Sequence, residues 1–183
     1  MADFYNEIDD ERRRFIEEQH IFFVGTAPSS PEDGFPNVSP KGRTLVRVLG
    51  PNLIGWFDYP GSGNETAKHT GENGRITVMF CSFGPTAGIV RLYGRGRAVD
   101  LDDPLLREHR EAFLSDAHPY VRQAFFVDVE KLQTSCGYAV PRFAFEEDRE
   151  TLDKYCAAKL EPHEMSEGMP LPGPLLSKIR VRA

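Results

Sequence analysis

The stretch WFDYPGSGNETAKHTGENGRITVMFCSF, residues 56–83, decides the fold. It runs from an apolar strand through a glycine-containing loop and a short helix into a second apolar strand. Ser62 followed by Glu65 has the spacing of a capping box, and Asn73-Gly74 is a helix stop, so the pattern predicts a helix over 63–73. Small and hydroxyl residues at Gly61 to Thr66 lead into that helix start. Unpaired backbone N–H groups and the positive end of the helix dipole there attract an anion such as a phosphate.

Outward from this stretch, β-forming runs recur. Ile21–Thr26 and Asn37–Ser39 flank a polar turn-rich loop and suggest a hairpin, while Thr44–Leu49 and Leu53–Tyr59 are separated by the turn Gly50-Pro51-Asn52. In Arg75–Phe83 apolar residues fall on both parities, which predicts a strand buried on both faces. From Ile89 to Leu101, Val90, Leu92, Gly94, Gly96 and Ala98 alternate with Arg91, Tyr93, Arg95 and Arg97, giving one small apolar face and one cationic face. Arg95 and Arg97 are expected in solvent or paired with Asp100, Asp102 or Asp103. Ala124–Cys136 adds a further strand.

Helices are predicted after Asp9, over Pro104–Leu114 and over Asp148–Leu160. Because these helices do not alternate regularly with strands, a doubly wound sheet is disfavoured. The expected fold is mainly β with peripheral helices: an antiparallel, six- or seven-stranded split barrel. It divides into a docking helix (1–20), a barrel domain (21–145), and a C-terminal helix with a proline- and glycine-rich tail (146–183).

The chain has 183 residues, 40% of them hydrophobic, which suits one substantial core. A formal charge of −6 opposes nucleic-acid binding, and the alternating arginines of 91–97 cover too small a patch to reverse that. The three cysteines, Cys81, Cys136 and Cys156, lack metal-site or disulfide-framework spacing. No basic leader or membrane-length apolar run is present in the sequence, so a cytoplasmic protein is expected. The GxG at 61–63 lacks the third glycine and the acidic partner of a dinucleotide fold.

Ser39-Pro40-Lys41-Gly42-Arg43 places cations before the strand carrying Arg47. Lys41, Arg43 and Arg47 sit at odd positions and, on a regular strand, project to one side. With Ser62, Asn64 and Thr66 they would form a phosphate pocket of charges, hydroxyls and backbone donors. Arg91 is a further candidate for this pocket. Trp56 is assigned to the core, His69 to the surface or an interface, and no catalytic residue is assigned.

The segments FFVGTAP, NVSPKG, LIGWFDY, GSGNETAKHTGENGRITVMF, RLYGRGRAV and VEKLQTSCGYAVP, spread over Ile21–Phe145, resemble the flavin-binding split barrels related to pyridoxamine 5′-phosphate oxidase. The resemblance implies a homodimer with FMN between subunits and a small-molecule substrate. It also implies oxidoreductase activity, or else non-catalytic binding of FMN, a deazaflavin or haem. By the same resemblance, Arg47 takes the place of the strand residue that meets the FMN phosphate, and Asn64 and Thr66 those of the loop residues. Where the oxidase carries Ser-Arg-Lys, this chain has Asn64-Glu65-Thr66, so Lys41 or Arg43 must compensate for the missing cations.

Overall fold

A computed structural model describes residues 2–171 of the protein. Alternation shapes the first hairpin: in β2 (Ile21–Thr26) Phe22, Val24 and Thr26 are buried, and β3 (Asn37–Gly42) pairs antiparallel with it. Then follow β4 (Arg47–Gly50), β5 (Leu53–Asp58), β6 (Arg75–Cys81), β7 (Ile89–Val99) and β8 (Gln123–Ser135). The sheet order is β3-β2-β6-β7-β8-β5-β4, antiparallel throughout, so β3 and β4 end the path and the barrel is split between them. A short β1 (Asp3–Tyr5) pairs with the far half of β8, whose near half pairs with β5. The fold is thus the mainly antiparallel split barrel expected.

Two cores follow from the parity of the strands. Phe22, Trp56, Phe80, Leu92 and Phe125 fill the barrel, with Trp56 stacked on Phe125 at 5.2 Å between centroids. On the outer side of β5 and β8, Phe57 and Phe126 pack beneath α3 (Pro104–Glu108) and α4 (Arg110–Phe113), meeting Leu106 and Phe113. Gly55 makes this contact possible, because a Cβ there would lie 3.0 Å from both the Phe113 ring and the Phe125 carbonyl. The helix α1 (Asp10–Glu17), capped by the Asp9 side chain accepting from Arg12 N, contributes Ile16 to the barrel core.

Several local expectations differ. β4 starts at Arg47, not Thr44, since Arg43 turns the chain at φ 64° and the Leu45 N–H donates to the Asp116 carboxylate instead of a strand partner. In β6 Ile76, Val78 and Phe80 enter the barrel core, while on the other face Cys81 is buried but Thr77 and Met79 are half-exposed. The stretch 104–114 is broken at His109, which leaves helical geometry. Arg95 and Arg97 are exposed, as one of the two expectations had it, and their partners are Glu130 and Asp128 of β8 instead of the acidic turn after β7.

After β8 an exposed segment leads to α5 (Thr151–Lys159) and a two-residue-strand hairpin, β9 (Met165–Ser166) and β10 (Met169–Pro170). Met169 joins the outer core. Most of the proline- and glycine-rich tail lies outside the described residues. Among the described residues no helix is long and apolar enough to cross a membrane. All three cysteines are free thiols.

Candidate functional site

In β5 the row Ile54, Trp56, Asp58 points into the barrel, so a carboxylate ends an otherwise apolar row at the barrel mouth. Asp58 is 2% exposed. Lys41 Nζ donates to its Oδ1 at 2.9 Å, while Arg122 Nη2 and Gln123 Nε2 donate to its Oδ2 at 2.6 and 2.8 Å. Register explains the last contact, because Gln123 is the residue directly opposite Asp58 on β8. Lys41 comes from β3, across the split, so an ion pair joins strands that no ladder connects. Burial alone would raise the Asp58 pKa, but Lys41 and Arg122 outweigh it and hold the carboxyl below its ordinary value.

This cluster reaches the loop before α2 (Glu65–Asn73). Arg122 Nη1 donates to the Gly63 carbonyl at 3.1 Å, and Gln123 Nε2 donates to Asn64 Oδ1 at 2.9 Å. Asn64, not Ser62, is the N-cap of α2, and its side chain makes no capping bond. Ser62 is exposed in the loop, so the capping box expected from its spacing to Glu65 does not form. Thr66, in the first helical turn, is buried.

A second cluster adjoins the first through Tyr59. Arg43 pairs with Asp153 of α5 and lies 5.6 Å over the Tyr59 ring. Arg47 pairs with Asp116 at 2.7 Å and donates to Ser115 Oγ at 2.7 Å, and the Tyr59 hydroxyl donates to the Asp116 carbonyl at 3.0 Å. Burial pushes the Tyr59 hydroxyl pKa up, against the pull of Arg43. Burial and Arg43 also lower the pKa of His118, whose ring sits 6.0 Å from Tyr59.

The structure therefore brings Lys41 and Asn64 to one cluster, and Arg43 and Arg47 to its neighbour. Lys41 and Arg47 do not share a face: Lys41 stands opposite core residue Phe22, whereas Arg47 stands opposite Gly55 and turns outward to Asp116. Ser39 accepts from Asn37 Nδ2 at 3.0 Å on the Lys41 side of β3, and Gly42 is exposed at the strand's end. Arg91 lies apart. It is level with Gln133, ten residues along β8 from Gln123 and so on the order of 30 Å away, and it donates to Ser135 Oγ at 3.2 Å. His69, expected at the surface or an interface, is buried within the chain, with its Nδ1 3.0 Å from Thr26 Oγ1.

Asp58, Arg122 and Gln123 were not legible as site residues in the sequence. Their only signal is polarity at the end of an apolar strand and the start of another, and register was needed to pair them. As a donor set, Lys41, Arg122 and the open first turn of α2 suit a phosphate-bearing ligand, while both hydrogens of the Gln123 amide are engaged by Asp58 and Asn64. Thr44 Oγ1, buried between β3 and β4, and Arg47 Nε, buried at the start of β4, have no hydrogen-bond partner and add unused donor capacity nearby.

The profile of the family described as pyridoxamine 5′-phosphate oxidase matches residues 8–147. The pyridoxamine 5′-phosphate oxidase family protein ustO of Aspergillus flavus is 37% identical over 153 residues, covering 82% of this chain and 61% of its own length. The chain thus spans less than two thirds of that relative. Among solved structures, HupZ of Group A Streptococcus is similar in fold, with a TM-score of 0.55 and 17% identity over 75% of this chain and 99% of HupZ. A candidate pyridoxamine 5′-phosphate oxidase from Lactobacillus delbrueckii has a TM-score of 0.52 and 17% identity, covering 70% of this chain and 94% of its own.

Proposed function

This chain belongs to the pyridoxamine 5′-phosphate oxidase family, and on that premise we propose that it binds FMN and acts as an oxidoreductase on a small substrate. The observation that carries the proposal is the convergence of Lys41, Arg122 and Gln123 on Asp58, with Arg122 and Gln123 reaching on to the loop that opens α2, whose N-cap residue makes no side-chain cap. FMN, when bound, supplies hydride and electron transfer. The protein's part is to hold and orient. Lys41 and Arg122 give positive charge, the first turn of α2 gives backbone donors, and Thr66 lines the helix start. Arg43 and Arg47, with Ser39, Gly42 and Ser62, form the surrounding rim.

We further propose a cytoplasmic homodimer in which Arg91 contributes from the end of the barrel away from Asn64, completing the partner's site. The large exposed side chains Phe35, Val38, Tyr138 and Phe143 support an interface. The division at residues 20 and 145 belongs to the same proposal. A non-catalytic flavin carrier or sensor is the second reading. It is favoured by the pairing of Lys41, Arg43, Arg47 and Arg122 with carboxylates, which leaves none of these four unpaired for an anionic substrate. Repeated turnover of bound flavin with NAD(P)H and an acceptor distinguishes the two, since a carrier does not turn over.

The site itself is tested by replacing Asn64 with Asp and Thr66 with Glu together. Two added negative charges at the phosphate position are expected to weaken FMN binding on the order of a hundredfold, with far-ultraviolet circular dichroism unchanged. Unaltered FMN affinity would place the phosphate elsewhere.

A further inference from the structure

An asparagine at a helix N-cap ordinarily turns its side-chain oxygen back onto the N–H of the second or third helical residue. Asn64 does not. Lys68 N donates to the Asn64 carbonyl at 3.0 Å, which marks the first intrahelical bond of α2, yet the Asn64 side chain makes no cap. Its Oδ1 accepts instead from Gln123 Nε2 at 2.9 Å, and the same Gln123 nitrogen donates to Asp58 Oδ2 at 2.8 Å. One amide nitrogen with two hydrogens thus links a buried carboxylate to the capping residue. Asp58 is itself fixed by Lys41 and Arg122, so Gln123 is anchored to a rigid point.

We propose that Gln123, held by Asp58, is a positioning residue that draws the Asn64 side chain off the start of α2, keeping the N–H groups of Thr66 and Ala67 open for the phosphate of FMN. The effect runs through Asn64 and Gln123 and rests on FMN as the ligand of this site. Without the Gln123 amide, Asn64 is free to cap the helix and to compete with the phosphate for the same donors. The competing bond lies within the protein and is lost only when the phosphate displaces it.

The test compares FMN with riboflavin, which lacks the phosphate, by equilibrium fluorescence titration of the full chain. In Gln123→Met, FMN affinity is expected to fall about fivefold, the worth of one cap bond, while riboflavin affinity stays the same. Adding Asn64→Gly to that variant removes the competing side chain and restores the preference for FMN. A loss that Asn64→Gly does not restore, or no loss at all, overturns the proposal. So does protection of the Thr66 and Ala67 amides from hydrogen exchange in the wild-type chain before FMN is added; the expected result is protection only afterwards. A wild-type chain that binds FMN no better than riboflavin overturns the phosphate placement as well, and so identifies a failure of the cofactor assignment instead of the Gln123 link alone.

Discussion

At the scale of single residues, Asp58 organises the barrel mouth. A buried carboxylate between two cations stays charged because its partners outweigh the cost of desolvation, and removing it leaves the half-buried Lys41 and Arg122 unmatched. Asp58→Ala is expected to cost about 3–5 kcal/mol in urea unfolding; a cost near zero would contradict the role given to it. The folded pKa lies below the ordinary carboxylate value of about 3.9. The stabilisation is therefore complete above about pH 4 and is lost as pH falls further, through the folded value. His163 has the same sign of dependence at higher pH. Burial lowers its pKa despite its contact with the Val121 carbonyl, so its contribution is complete above about pH 6.5 and declines as pH falls below that. Thermal unfolding midpoints should fall on acidification from pH 6.5 to 5, with a flatter profile in His163→Gln, and an identical profile would remove His163 from this account. At this scale the sequence was least legible. Lys41 and Asn64 stood out by type and position, whereas Asp58 and Gln123 became neighbours only through the β5–β8 register, and the cations proposed to serve a phosphate turned out to be matched by Asp58, Asp116 and Asp153, two of them beyond residue 100.

At the scale of elements, periodicity was a sound guide wherever local rules decide the outcome. The alternation of β7 is realised, with Val90 and Leu92 inside and Arg95 and Arg97 in solvent, and Asp9 caps α1. It misled where tertiary contacts compete with strand pairing, as at Thr44–Val46, where the Asp116 carboxylate takes a backbone N–H. The fold's register also depends on a feature that alternation does not show. At the β7–β8 bulge between Tyr93 and Gly94, a Cβ on Gly94 would lie 2.0 Å from the Asp128 carbonyl oxygen. Gly94→Ala must therefore move one strand against the other, and a loss of at least about 1–3 kcal/mol is expected from thermal or urea unfolding. A neutral substitution would mean that the two strands separate at this point.

At the scale of the whole molecule, the family match ends at residue 147, but the chain after it returns to the site. Asp153 of α5 pairs with Arg43, His163 meets Val121 beside Arg122, and Met169 packs in the outer core. Met169→Ala is expected to cost about 2 kcal/mol or more in unfolding, showing the hairpin to be part of the folded unit; no change would detach it. Light scattering should give the mass of a dimer if the exposed aromatic surface is an interface, and a monomer at all concentrations would contradict the proposed subunit arrangement. The central claim, that this barrel holds FMN by the loop opening α2, is tested most directly by titrating FMN with the purified chain and following flavin fluorescence and absorbance. Saturable change at one FMN per chain, with FMN bound more tightly than riboflavin, is the predicted result. FMN fluorescence and absorbance that stay unchanged in excess protein would contradict it.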